Sequence, residues 1–288
     1  MITEVASFKA STSGRLYLVP TPIGNLGDLS PRAVEVLQTV DLIAAEDTRN
    51  TQKLLNHFQI KTKQISFHEH NTQQRLPELV AKLKQGLQIA QVSDAGMPSI
   101  SDPGQELVQA CIQVQIPVVP LTGPNAALTA LIASGLVPQP FYFYGFLPRK
   151  QQEWQAALAQ LKNLTATFIL YESPYRIQKT VEHLGQVLGT GRQLVLAREL
   201  TKVHEAFLRG TIGEVQEYFA QNQPRGEYVV LVQGQLQTVE KTWSELEVQQ
   251  EVQSQIQAGQ KPNVAIKTVA KQAHWERQAV YNLYHGLE

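Results

Sequence analysis

The chain has one cysteine, no net charge and no long apolar run, and each absence closes off a class of protein. Cys111 stands alone in a helical apolar pattern, so there is no internal disulfide framework and no cysteine cluster for zinc, which fits a reducing, cytoplasmic setting. The 25 Lys and Arg balance the 25 Asp and Glu, so no overall charge advertises nucleic acid, although a local basic face can sit inside a neutral total. No apolar run approaches the ~18 residues that a membrane-spanning helix needs. The opening MITEVASFKASTSG lacks the apolar core of a signal peptide, and residues 1–14 read as a loose leader. Also missing are the G-x-G-x-x-G fingerprint, the P-loop and the H-E-x-x-H helix, so neither a dinucleotide nor a metal is announced by motif. The 288 residues, 43% hydrophobic and 17% charged, suffice for two domains with separate cores.

The most informative stretch runs from Ile89 to Gly104, IAQVSDAGMPSISDPG. An apolar strand, Leu87 to Val92, empties into a loop of small and polar residues stiffened by Pro98 and Pro103, with Gly96 and Gly104 between and after them. Ser93, Ala95 and Gly96 let a ligand approach the backbone closely. The same unit recurs before and after it. Strand Leu16 to Val19 leads into TPIGNLGD and a helix opened by Ser30 and Pro31; strand Leu42 to Ala45 runs into Glu46-Asp47-Thr48-Arg49. Strand Gln64 to Phe67 empties into His68-Glu69-His70-Asn71, and strand Pro117 to Pro120 into Thr122-Gly123-Pro124-Asn125-Ala126. Strands alternating with helices in this way predict an α/β domain over residues 15–136, its sheet parallel and its polar loops gathered on one edge. That edge is where α/β folds bind ligands.

From residue 137 the pattern restarts as a second, mixed α/β domain to about residue 238. Strands are expected at Phe141 to Phe146, Thr167 to Tyr171, Leu194 to Ala197, Glu205 to Arg209 and Tyr228 to Val232, several without a helix between them. Residues 239–288 read as a helical accessory segment. Lys261, Lys267, Lys271 and Arg277 beside Trp275, Tyr281 and Tyr284 suit either a small helix-turn-helix RNA-binding module or a packed helical cap. His68 and His70, two apart in extended chain, point to opposite sides and do not make a metal site.

The blocks VPTPIGNLGDLSPRA, AAEDTRNT, SFHEHN, VSDAGMPSISDPG, LTGPNAA, FYGFLPR, YESPYR and ARELTKVHE, in this order from Leu16 to Val232, resemble the tetrapyrrole methylase family. Within it they are similar to the branch that 2′-O-methylates a cytidine of small-subunit (16S) ribosomal RNA in its decoding region. The resemblance implies an S-adenosyl-L-methionine-dependent homodimer with the cofactor in a cleft between two α/β domains, no metal, and the small ribosomal subunit as partner. It carries cofactor contacts onto Pro22, Asp94, Ala95, Gly96, Met97, Ile100, Ser101, Asn125, Ala126, Tyr171 and Ala197. Met97 departs from the acidic residue of the tetrapyrrole-modifying members, which leaves backbone contacts there. For the proton of a ribose hydroxyl the loop edge offers Asp47 and Lys202 first, then His68, Asp94 and Glu172. Arg49, Arg176 and Arg198, with Asn71, are the candidate RNA contacts, guanidinium groups being shaped to hold phosphate. For Asp47 and Arg49 a helix cap with a local ion pair is the plain alternative. Rival functions are a small-molecule methyltransferase and a noncatalytic RNA-binding assembly factor.

Overall fold

Short helices return the chain to the same edge after each strand of the first half, and the sheet that results is parallel throughout. The computed structural model describes residues 4–7, 13–235 and 243–287, and the chain forms two compact units, Met1–Gln235 and Leu236–Glu288. Among the described residues β1 (Leu16–Leu18), β2 (Leu42–Ala45), β3 (Gln64–Ser66), β4 (Ile89–Val92) and β5 (Val118–Pro120) make a five-stranded sheet in the order β3-β2-β4-β1-β5, with every pair parallel. β2 and β4 are buried at every residue, which is why they read as continuous apolar runs instead of alternating ones. Gln91 is the polar member of β4, and its amide donates to the Pro103 carbonyl at 3.0 Å, tying the far end of the following loop to the strand. Of the expected leader, residues 1–3 and 8–12 lie outside the described residues, while Gly14 is buried and donates its N–H to Leu83 O at 2.7 Å.

The helices α1 (Pro31–Thr39), α2 (Thr48–His57), α3 (Thr72–Lys84) and α4 (Gln105–Gln113) follow β1 to β4 in turn. Ser30 caps α1 through its hydroxyl, which accepts from Ala33 N at 3.1 Å, with Pro31 in the first turn as the sequence predicts. α5 (Ala126–Ser134) follows β5 and is almost wholly apolar. Its Ala127, Ala130 and Leu131 pack against the second sheet, on Ile169, Val195, Val229 and Leu231. Thus the last helix of the first half covers one face of the second.

That second sheet holds β6 (Phe141–Phe146), β7 (Thr167–Glu172), β8 (Gln193–Arg198), β9 (Ala206–Thr211) and β10 (Tyr228–Val232) in the order β6-β7-β10-β8-β9. It is mixed: β6 and β7 are parallel, and the β10–β7, β10–β8 and β8–β9 pairs are antiparallel. α6 (Gln151–Lys162), α7 (Ile177–Leu188) and α8 (Ile212–Gln221) bury Trp154, Leu158, Leu184 and Phe219 on its other face, against Phe168, Leu196 and Val230. At about 1.5–3 kcal/mol for each fully buried large aliphatic side chain, this cluster is a principal source of the half's stability.

Leu236–Glu288 contains α9 (Glu245–Gln257), α10 (Pro262–Ala273) and α11 (Arg277–His285), folded on a core of Val248, Val252, Ile266, Val269 and Val280. Trp243, Trp275 and Tyr284 pack against that core, whereas Lys261, Lys267, Lys271 and Arg277 are exposed. Among the described residues no helix is long and apolar enough to cross a membrane.

Candidate functional site

Two loops from the carboxyl edge of the parallel sheet are stitched together before any ligand need be considered. Thr21 N donates to Gly96 O and Gly96 N to Thr21 O, each at 2.9 Å, and the Thr21 hydroxyl donates to Ser93 O at 3.0 Å. Gly96 has φ +83°, a left-handed angle at which a side chain is strained. A Cβ there would lie 3.5 Å from the Ile23 side chain, an ordinary contact, so the backbone angle and not crowding is what requires glycine. Ser99 and Ser101, at φ +69° and +63°, continue the strained run; non-glycine residues in this region concentrate at functional sites. On the other side, Glu199 at +50° and Thr201 at +67° do the same in the loop after β8.

These loops border an open cleft of about 320 Å³, at the low end of small-ligand pockets. The structure brings to it Asp94, Ala95, Gly96, Met97, Ile100, Ser101, Asn125, Ala126, Tyr171 and Ala197 from the expected cofactor set, with Glu172 and Lys202 from the expected catalytic set. Asn125 caps α5, accepting from Leu128 N at 2.9 Å, and its amide nitrogen sits 3.7 Å from Met97 Sδ. The Met97 sulfur thus makes a weak contact with the helix cap within the chain. The Tyr171 hydroxyl accepts from Ala127 N at 3.2 Å, fixing the ring against the start of the same helix. A bulge in β6, with Gly145 at φ +81°, re-aims the strand end so that Phe146 also lines the cleft, edge-on to Tyr171 at 5.5 Å.

The electrostatics are lopsided. Among the described residues lining the cleft, carboxylates come from Glu46, Asp94, Asp102, Glu172, Glu199 and Glu227, and Lys202 is the one cation. Burial, with the charges of Glu46 and Asp94 adding to it, pushes Asp102 up to about 7 against the opposing Ser93 hydrogen bond. Burial also raises Glu46, outweighing the stabilising Asp94 backbone hydrogen bond. Asp94 is fixed from three directions: its carboxylate accepts from Asp47 N at 3.1 Å and from the Asn50 amide at 2.9 Å, and its own N–H donates to Glu46 at 3.1 Å. Sequence reading passed over Asp102 and Glu46; the signal for both was their place one residue past a marked turn or strand end, in ISDPG and AAED.

Several expected site residues are committed elsewhere. Asp47 caps α2 and chelates Arg49, at 2.6 Å to its terminal nitrogen, and these hydrogen bonds hold its carboxyl down to about 2. A carboxylate of that acidity is a poor proton acceptor, and the contacts Asp47 makes are those of a helix cap. Lys202 bridges Glu199 and Glu227 at 2.9 Å each; burial works to lower it, but the two carboxylates prevail and raise it above the usual lysine value, so it keeps its proton. Glu172 is buried and accepts from Ser173 N at 2.9 Å and Thr180 Oγ1 at 2.8 Å, which makes it a clasp between β7 and α7. Arg176 donates to the carbonyls of Leu147 and Pro148 at 3.2 Å, and Arg198 to that of His204 at 3.4 Å; neither lines the cleft.

His68 and Asn71 also lie outside the cleft lining. Asn71 accepts from His68 N at 2.9 Å and donates to Ser66, shaping the turn after β3. His68 is extended, but the 3-10 turn that starts at Glu69 carries His70 round, so the two rings come within 6.0 Å instead of pointing apart. Among the described residues no cluster of three or more His, Cys, Asp or Glu is arranged to hold a metal. Pro22 falls not in the cleft but in a smaller hollow on the other side of Asp94.

A parallel sheet delivering four loops to a cleft roofed by a mixed sheet is the architecture of the tetrapyrrole (corrin/porphyrin) methylases, whose family profile matches residues 15–216; the chain belongs to that family. Within it the chain is similar to proteins named ribosomal RNA small subunit methyltransferase I. The one from Streptococcus pyogenes serotype M3 is 52% identical over 283 residues, 98% of either chain, and that of Bacillus subtilis is 45% identical over 290 residues, 99% of either chain. Solved structures agree in fold. Uroporphyrin-III C-methyl transferase from Thermus thermophilus, complexed with S-adenyl homocysteine, superposes with a TM-score of 0.54 at 16% identity, covering 76% of this chain and 97% of that one. Diphthine synthase does so with a TM-score of 0.58 at 12% identity, covering 77% and 90%.

Proposed function

We propose that this chain is an S-adenosylmethionine-dependent methyltransferase acting on the RNA of the small ribosomal subunit, at the 2′-hydroxyl of a cytidine. The observation that carries the reading is the acid-walled cleft at the carboxyl edge of the parallel sheet, in a chain sharing about half its residues with proteins named ribosomal RNA small subunit methyltransferase I. The cleft's chemistry fits the cofactor. Its small residues Ala95, Gly96, Ala126 and Ala197 leave room against the backbone; Ile23, Met97, Tyr171 and Leu200 offer apolar surface to a purine; and its excess of carboxylates favours a ligand bearing an ammonium and a sulfonium.

When bound, the cofactor supplies an electrophilic methyl group on positively charged sulfur. The chain's own task is to bind, align and accept a proton. Alignment of acceptor and donor is worth effective molarities of about 10⁵ M or more. For the proton we assign Asp102. Its carboxyl, balanced near 7, is ionised in a useful fraction at working pH and still basic enough to take the hydroxyl proton, a match worth roughly 10² to 10⁴ in rate. The exposed cations of α10 and α11 form an RNA contact, and the exposed apolar residues Leu128, Ile132, Val137 and Tyr142 support assembly as a homodimer. An RNA substrate of this kind places the enzyme in the cytoplasm.

The test is incubation of the full chain and methyl-labelled cofactor with small subunits lacking the modification, followed by nucleoside analysis. Label in 2′-O-methylcytidine is expected. Label in no nucleoside, with a tetrapyrrole accepting it instead, would replace the RNA reading with a small-molecule one, and cofactor binding without any transfer would point to an assembly factor.

A further inference from the structure

β6, β7 and β8 run in one direction, so the loops that leave them emerge on a single edge, where Phe146, Ser173 and Lys202 line the cleft. The loop after β7 carries a side chain that the fold does not use. Tyr175 is 96% exposed, and among the described residues its hydroxyl makes no hydrogen bond and its ring no aromatic contact.

This tyrosine is held out on a rigid turn. Residues 173–176 form a β-turn with Pro174 in its second position: Arg176 N donates to Ser173 O at 3.1 Å, and Ile177 N donates to the same oxygen at 3.0 Å as α7 begins. The Glu172 carboxylate accepts from Ser173 N at 2.9 Å and from Thr180 Oγ1 at 2.8 Å, anchoring the turn on both sides. The Arg176 guanidinium reaches across to the carbonyls of Leu147 and Pro148, 3.2 Å from each. That tie sets the turn beside the loop after β6, in which Arg149, the residue after Pro148, is exposed and has no acidic partner among the described residues. A water-facing ring on a stiff turn, next to an unpaired guanidinium, suits an unstacked base and its phosphate, and a turn already ordered loses little entropy on binding.

The cleft, about 320 Å³, has no room for a duplex, so an RNA strand enters it unpaired. Ser173 lines the cleft, and Tyr175, two residues along, stands within about 7 Å of it without lining the cleft itself. The ring is therefore placed for a neighbour of the nucleotide in the cleft, not for that nucleotide.

We propose that Tyr175 is a stacking platform for an unpaired base of the small-subunit RNA next to the methylated nucleotide, with Arg149 on the adjoining phosphate and Arg176 as the positioning residue that holds the turn. The proposal rests on the reading of the chain as an RNA methyltransferase and adds where the strand leaves the cleft. Stacking accepts any base, so the platform supplies affinity and alignment, not base choice.

The experiment compares full-length wild type with Tyr175→Ala, Tyr175→Phe, Tyr175→Leu and Arg149→Gln by cofactor titration, oligomeric state, binding of unmodified small subunits across a salt series, and methyl transfer from labelled cofactor. Both positions are exposed, so melting temperatures should match wild type. Tyr175→Ala should raise KM for subunits about tenfold, the loss of one base–ring stack, with cofactor affinity and salt slope unchanged. Tyr175→Phe should keep the wild-type KM, whereas Tyr175→Leu, apolar but without a π face, should not. Arg149→Gln should flatten the slope of log K against log salt by about 0.7, one phosphate of a single strand. Unchanged KM in Tyr175→Ala, with wild type active, would overturn the proposal. So would rescue by Leu as full as by Phe, which would make the partner a protein surface, or a changed oligomeric state in Tyr175→Ala, which would make it a second copy of the chain. An unchanged salt slope in Arg149→Gln would remove the phosphate contact. Failure of wild type to methylate subunits would count against the functional reading instead, and subunit affinity would still decide the platform.

Discussion

The loop after β4 and the loop after β8 face each other across the same cleft, and they treat charge in opposite ways. Both leave a buried strand, and both hold two non-glycine residues at positive φ: Ser99 and Ser101 in one, Glu199 and Thr201 in the other. In the β8 loop every charge facing the cleft is paired, Lys202 lying between Glu199 and Glu227 at 2.9 Å each. In the β4 loop the carboxylates are not matched with cations. Asp94 is held by N–H donors, and Asp102, half buried and crowded by Glu46 and Asp94, is left able to gain or lose a proton near pH 7. A paired network stiffens a wall, whereas an unpaired carboxyl in a half-buried site can do chemistry.

The sharpest way to break that contrast is Asp102→Asn, which should cut kcat by about 10² to 10⁴ while leaving cofactor affinity within a few-fold. The pH profile separates this from a structural role. Wild-type kcat/KM should rise through pH 7 as Asp102 ionises, and the variant should lose that limb. Stability should move the other way. The folded state keeps on Asp102 a proton that the unfolded chain releases near the ordinary carboxyl value of 3.8, so its stabilising contribution is full below about pH 4 and is lost as pH rises through 7. Thermal melts from pH 4 to 8 should show that decline in wild type and a shallower one in Asp102→Asn.

Next in size is Gly96→Val. A β-branched residue at φ +83° costs about 1–3 kcal/mol, felt where the β1 and β4 loops are joined, so cofactor affinity should fall by tenfold or more in a chain that still melts cooperatively. Smallest is Lys202→Gln in the paired loop. It leaves Glu199 and Glu227 facing each other and should lower stability by about 1 kcal/mol, discounted because the lysine is partly exposed, with kcat down less than tenfold. A larger loss of kcat would return Lys202 to the chemistry.

Much of the architecture was legible in residues. The continuous apolar runs of β2 and β4, the Ser30-Pro31 cap and the small-residue loop after β4 each have a local cause, so local reading found them. The mixed pairing of the second sheet followed from strands lacking intervening helices. What the sequence concealed is what depends on contacts across the chain. Arg176 turns to the carbonyls of Leu147 and Pro148, and Asp102 acquires its proton affinity from burial in the cleft wall and from the charge of Glu46, far away in sequence. The rings of His68 and His70 draw together because a 3-10 turn begins at Glu69, where the sequence reads as extended chain. The aromatic residues near the C-terminus fitted RNA or core equally well as sequence; Trp243, Trp275 and Tyr284 went to the core while the cations stayed outside.

The central claim is that the cleft between the two sheets holds the cofactor, and Ala95 offers the most direct test because it is exposed and lines that cleft. Calorimetric titration of S-adenosylmethionine should be run on wild type and on Ala95→Trp, with the melting temperature of each. The account predicts one binding event per wild-type chain and loss of binding in Ala95→Trp at an unchanged melting temperature. Equal binding by the two proteins would contradict it.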